Sequence, residues 1–214
     1  MNSLLEQIKQ YGIVPVVVLE DAQAARPLAK ALCEGGLPVA EITFRTKAAA
    51  EAIKIMTSEF PEMLIGAGTV LNAKQVDEAA AAGASFIVSP GLNPRTVSYC
   101  VSKGIMILPG CSNPSDIELA IENGLEAVKF FPAKEAGGLP MIKAMSAPYG
   151  DICFMPSGGI SPANIEEYLS FPKIFACGGS WMVKNELIQQ GDFDTITRLT
   201  KEAVAIVKKF RQGE

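Results

Sequence analysis

The chain has 214 residues, of which 49% are hydrophobic and 20% charged, and its formal net charge is -4. That length buries a substantial core but is short for two ordinary domains, so a single domain over residues 1–214 is expected. The small negative charge without a basic block argues against a nucleic-acid partner, and no apolar run reaches the ~18 residues of a membrane-spanning helix.

Two residue types narrow the chemistry further. The sequence contains no histidine, which removes Ser-His and Cys-His nucleophile schemes and His-ligated zinc. Its five cysteines, Cys33, Cys100, Cys111, Cys153 and Cys177, are dispersed and form no CxxC pair. Reduced thiols in a cytoplasmic protein are therefore expected rather than a disulfide framework.

In chain order, the N-terminal stretch MNSLLEQIKQ reads as an amphipathic helix over Ser3–Tyr11, not as a signal peptide. Eight short apolar, β-branched runs follow: Ile13–Leu19, Val39–Thr43, Leu64–Ala67, Ser85–Ser89, Ile105–Leu108, Ala127–Phe131, Ile152–Met155 and Ile174–Cys177. Their starts are spaced by the length of one β-loop-α-loop unit. Helix signals lie between them. Asn72 with Gln75 forms a capping-box pattern that Gly83 ends, and Asn93-Pro94, Asn113-Pro114 and Ser161-Pro162 each place a cap before proline. Gly35-Gly36 and Gly124 close two further helices, while Pro27 predicts a late start or a kink in the first inter-strand helix.

Continuous apolar strands are buried on both faces, as in a parallel sheet covered by helices. Eight such alternations predict an α/β fold, a (β/α)8 TIM barrel with an N-terminal capping helix. An open doubly wound sheet is the alternative, but no GxGxxG follows the first strand.

Reacting groups in such barrels project from the C-terminal ends of strands, so polar residues that interrupt the apolar runs are informative. Lys129, in EAVKFFP, is the sharpest case. It is either a core lysine with a buried ion-pair partner or a neutral amine able to attack a carbonyl carbon, which burial favours. In VAEITFRT, strand alternation puts Glu41, Thr43 and Arg45 on one face, with Glu41 in the barrel mouth and Arg45 at its rim. They suit either a structural ion pair or proton shuttling with a carboxylate grip. GAGTV (Gly66–Val70) offers small residues and the Thr69 hydroxyl. The PSGGIS and CGGSW loops follow the seventh and eighth strands, where barrels often hold phosphate; Gly158-Gly159 and Gly178-Gly179 can present N–H groups there, with Ser157 and Ser180 adding hydroxyls. Turns also use such glycines freely. Lys173, at the start of the eighth run, would face the stability end.

Taken together, AEITFRT, GAGTVLN, SPGLNP, VKFFPA, PSGGISPAN and GGSWMV resemble the bacterial 2-keto-3-deoxy-6-phosphogluconate (KDPG) / 4-hydroxy-2-oxoglutarate (KHG) aldolase family, in order from about Ile13 to Trp181. The resemblance implies a metal-free and cofactor-free class I aldolase, typically a homotrimer, acting on a small keto acid to release pyruvate. It implies Lys129 as the Schiff-base lysine and Glu41 as general acid/base. Arg45 and Thr69 would lie at the pyruvyl carboxylate, and Pro90 and Phe131 would line the pyruvate pocket. Ser157, Gly158, Gly159, Gly179 and Ser180 would lie on the substrate-tail and phosphate side. One position departs: Ser157 stands where many members carry Thr, which keeps the hydroxyl and loses a methyl. A phosphate-binding barrel isomerase and a non-catalytic sugar-phosphate sensor are the competing readings on fold alone.

Overall fold

The computed structural model describes residues 3–212. Helix α1 (Ser3–Tyr11) leads into β1 (Ile13–Val17), and strands and helices then alternate through α2 (Ala25–Glu34), β2 (Val39–Thr43), α3 (Ala49–Glu59), β3 (Leu64–Gly68), α4 (Ala73–Ala81), β4 (Phe86–Val88) and α5 (Pro94–Ser102). The second half continues with β5 (Ile107–Leu108), α6 (Pro114–Glu122), β6 (Ala127–Phe130), α7 (Gly138–Ser146), β7 (Cys153–Pro156), α8 (Ile165–Leu169), β8 (Cys177–Gly179), α9 (Asn185–Gln190) and α10 (Phe193–Gln212).

All described strand pairs are parallel. Six strands form one sheet in the order β5-β4-β3-β2-β1-β8, and β6 pairs with β7 in a second. The two sheets touch through single parallel bridges, Gly110 with Lys129 on one side and Phe154 with Ile174 and Ser157 with Gly178 on the other. Between β5 and β6 the ladder is thin for a chemical reason: Pro109, directly after β5, has no N–H to donate. Its carbonyl still accepts from Lys129 N at 2.9 Å.

Burial explains why the strands read as unbroken apolar runs. Every residue of β2 and β3 is buried, and Phe86, Phe130, Phe154 and Ile42 are among the largest fully enclosed side chains. Leu5 and Ile8 of α1 are buried, and Leu5 lies beside Ile107 and Ala127 near the start of β6. At the far end of the chain α10 runs against α2; a Cβ on Gly35 would stand 2.4 Å from Thr200 Cγ2, so this close helix approach needs glycine.

Local signals and structure agree at most helix ends. Asn72 accepts from Gln75 N at 3.0 Å while Gln75 Oε1 reaches back to Leu71 N at 2.8 Å, a reciprocal cap. Asn93 and Asn113 cap α5 and α6, accepting from Arg95 N and Asp116 N. Pro27 falls in the first turn of α2, which starts late, after a 3-10 turn over Ala22–Ala24.

Two expectations are corrected. Ser161 does not cap a helix: the chain turns first, α8 begins at Ile165, and the Asn164 side chain folds back to accept from Ser161 N at 2.8 Å and donate to Gly159 O at 2.9 Å. The eighth strand is Cys177–Gly179, in register with Ile13–Pro15, not Ile174–Cys177. Ile174 N is tied to Phe171 O in the turn after Pro172, which leaves Ile174 a lone bridge residue.

Candidate active site

Lys129 sits in the middle of β6 and is held by both flanking segments. Its N–H donates to Pro109 O, its carbonyl accepts from Cys111 N at 2.8 Å, and it stands opposite Met155 of β7. The residue is 5% exposed. Its Nζ lies 3.3 Å from Glu41 Oε1 and 5.2 Å from the centre of the Phe131 ring.

Glu41 reaches that amine from β2, a strand of the other sheet, where it is flanked by Val16 and Gly66. The carboxylate is fully buried, and Oε2 has no hydrogen-bond partner among the described residues. An unpartnered buried acceptor is costly, so it marks a place where a donor is due. Gly68 makes the site possible: a Cβ there would stand 2.1 Å from Glu41 Oε1. Gly66 likewise leaves space for the Phe86 ring, which an added Cβ would meet at 2.3 Å.

The other second-strand residues divide by environment. Thr43 is buried and its hydroxyl donates to Val17 O at 2.8 Å, tying β2 to β1. Arg45, past the end of β2, is exposed, lines a cavity and has no ion-pair or hydrogen-bond partner among the described residues. Glu41 pairs with Lys129 instead, so a structural Glu41–Arg45 ion pair is not what these residues form. Directly after β3, Thr69 adopts φ +57. A β-branched residue in the left-handed region is strained, and such strain collects at functional sites.

The cavity holds about 350 Å³. Eight residues singled out in the sequence line it: Arg45, Phe131, Ser157, Gly158, Gly159, Gly178, Gly179 and Ser180. Phe131 links it to the amine. Gly158 (φ +98) and Gly159 (φ +77) take conformations that suit glycine, and the N–H groups of Gly158, Gly159 and Ser180 donate to no protein acceptor among the described residues. Gly178 admits the Ser157 hydroxyl, which would lie 2.8 Å from an added Cβ. Such a rim of uncommitted N–H groups suits an anion.

Pro90 is not brought into this cavity. It lines a separate groove with Val70, Leu71 and Leu92, and its carbonyl packs over Gly110. Sequence reasoning also missed Val16, Val18, Lys184, Asn185 and Glu186, which line it together with Ile160 and Val183. The only signal for Lys184, Asn185 and Glu186 was a polar Lys-Asn-Glu run directly after GGSWMV. Lys173 is structural, as expected: its Nζ donates to Ser146 O at 2.7 Å and Tyr149 O at 2.6 Å at the end of α7.

The thiols are poor rivals to the amine. Burial, then the nearby Asp116 charge, pushes Cys111 up to about 12, and burial drives Cys100 up to about 11. At neutral pH both are protonated and unreactive. Among the described residues no group of three or more Cys, Asp or Glu side chains could hold a metal ion, and no helix is long and apolar enough to cross a membrane.

An amine and a carboxylate meeting inside a parallel α/β scaffold, beside a rim prepared for an anion, define an enzyme acting on a carbonyl carbon. The family described as KDPG and KHG aldolase matches residues 4–199. A 2-dehydro-3-deoxy-phosphogluconate aldolase of Haemophilus influenzae is 49% identical over 97% of this chain and 98% of its own. Two solved structures are also similar. The KDPG aldolase of Zymomonas mobilis with 3-phosphoglycerate has a TM-score of 0.88 and 44% identity, covering 94% of this chain and 95% of its own. That of Legionella pneumophila, with pyruvate captured as a covalent carbinolamine, has a TM-score of 0.91 and 37% identity, covering 94% and 98%. The chain belongs to the KDPG and KHG aldolase family.

Proposed function

We propose that the chain is a class I aldolase whose Lys129 forms the Schiff base. It cleaves 2-keto-3-deoxy-6-phosphogluconate to pyruvate and glyceraldehyde 3-phosphate, and 4-hydroxy-2-oxoglutarate to pyruvate and glyoxylate. The observation that carries the reading is the buried approach of Lys129 Nζ to Glu41 Oε1 at 3.3 Å from opposite sheets.

The Lys129 ammonium gives a proton to Glu41, and the freed amine adds to C2 of the keto acid, a second N–H proton passing to the keto oxygen to form the carbinolamine. The carbinolamine hydroxyl takes the proton back from Glu41 and leaves as water, forming an iminium. Glu41 then accepts the C4 hydroxyl proton as the C3–C4 bond breaks, and the bonding pair flows into the iminium to give an enamine while the aldehyde departs. Glu41 returns the proton to C3. Water then hydrolyses the resulting iminium, releasing pyruvate and restoring the amine. Arg45, with its planar fork uncommitted, grips the substrate carboxylate and so fixes C2 near Lys129. The family resemblance assigns Thr69 to the same carboxylate side and Pro90 to the pyruvate pocket, and the left-handed backbone of Thr69 supports a functional role for it. Ser157, Gly158, Gly159, Gly179 and Ser180 receive the substrate tail.

The eight strands are read as one closed (β/α)8 barrel capped by α1, forming a single domain over 1–214. Bridges at both joins between the sheets support closure, as does the meeting of side chains from β2 and β6. A cytoplasmic setting is supported by five free cysteines. A homotrimer follows from the family resemblance, and the exposed Leu71 supplies apolar surface for it; sedimentation equilibrium showing only monomer would refute it.

Borohydride reduction in the presence of pyruvate tests the chemistry. Wild-type protein should be inactivated with a stable adduct on Lys129, seen by peptide mass spectrometry, and Lys129→Ala should neither trap nor turn over. Full activity in Lys129→Ala would end the proposal.

A further inference from the structure

The cavity carries two cationic side chains, Arg45 and Lys184, and one carboxylate, Glu186. Lys184 is exposed and has no ion-pair partner among the described residues, Glu186 included. It follows β8, and Arg45 follows β2, with β1 between them in the sheet order β8-β1-β2. Two strand spacings, about 10 Å, separate the strands they follow, and the apolar Val16 and Val18 line the same cavity. In the phosphorylated six-carbon keto acid, five C–C bonds of about 1.5 Å and an ester link put carboxylate and phosphorus on the order of 8 Å apart. The five-carbon dicarboxylate is shorter by one carbon and the ester link, so its far anion reaches less far from Arg45.

We infer that Lys184 is a specificity-determining residue that selects the phosphorylated keto acid by pairing with the phosphate while Arg45 holds the carboxylate. The inference rests on the aldolase reading and adds a side-chain charge to the backbone rim of Gly158, Gly159 and Ser180. A backbone rim recognises an anion of either charge state, whereas a free ammonium rewards the second negative charge of a phosphate monoester. Glu186 acts in the opposite direction, because it lines the same cavity and repels that charge.

The test compares kcat/KM on 2-keto-3-deoxy-6-phosphogluconate and on its unphosphorylated counterpart, 2-keto-3-deoxygluconate, with pyruvate trapping by borohydride measured on every variant. Lys184→Gln should lower the ratio of the two kcat/KM values on the order of 10-fold, chiefly through KM for the phosphorylated substrate. Lys184→Arg should retain most of the ratio, and Glu186→Gln should raise it about 2-fold. Added salt should erode the preference of the wild type more than that of Lys184→Gln. An unchanged ratio in a Lys184→Gln protein that still traps pyruvate would overturn the inference alone, as would equal losses on both substrates. Wild-type protein that traps no pyruvate would overturn the aldolase reading and this inference with it.

Discussion

The reacting pair and the anion rim, joined through Phe131, are made from different materials. Lys129 and Glu41 are side chains on mid-strand positions, 7% and 1% exposed and in direct contact. The rim of Gly158, Gly159 and Ser180 is main chain on loops, with N–H groups that no acceptor among the described residues takes up. Strands hold the first to within a fraction of an ångström, as proton transfer demands; loops permit the second to serve tails of different length. Substitutions should therefore act sharply and on kcat at the pair, but gradually and on KM at the rim.

After the loss of all trapping in Lys129→Ala, the largest effect is expected from Glu41→Gln. The amide still accepts hydrogen bonds but cannot relay protons. It should trap pyruvate yet turn over about 10²–10⁴-fold more slowly in a coupled pyruvate-release assay. Next comes Gly68→Ala, which sharpens the comparison because it touches no substrate. Its Cβ must push the Glu41 carboxylate off the amine, and a misplacement of that size costs about 100-fold in kcat. Overpacking should also lower stability by about 1–3 kcal/mol, read from urea unfolding. If Gly68→Ala kept wild-type kcat, the carboxylate would have no positional role.

The smallest effect is expected at Thr69. Thr69→Gly relieves the left-handed strain, so folding should gain up to about 1 kcal/mol, reduced by the added freedom of the unfolded chain. Loss of the hydroxyl should lower kcat/KM about 10-fold. A variant that lost both stability and activity would show that the strain does not serve the site.

The same division explains what could be read from the sequence. Lys129 and Glu41 stood out because a charge inside an apolar run has few reasons to be there. Strand positions 1 to 7 followed from β-branched runs bounded by turn residues. The eighth was placed three residues early because Ile174–Cys177 looks like a strand, whereas the ladder runs through Gly178 and Gly179, residues with no side chain to announce it. Ser161-Pro162 misled in a related way, since Asn164 competes for the same turn. Lys184 and Asn185 were invisible because polar residues after a loop are the ordinary surface pattern. Pro90 carried a family motif but faces a different groove, and only coordinates separate those.

The way Lys129 is anchored has a kinetic consequence. With its amide and carbonyl both committed to neighbouring segments, the nitrogen can travel only as far as rotation of its own four-carbon arm allows. Bond making and bond breaking at that atom are thus torsional events on a stationary mount, and the reacting end of the molecule has no large-scale gear to shift between cycles. Whatever slower movement governs admission and discharge must then be carried by other parts of the chain than this strand.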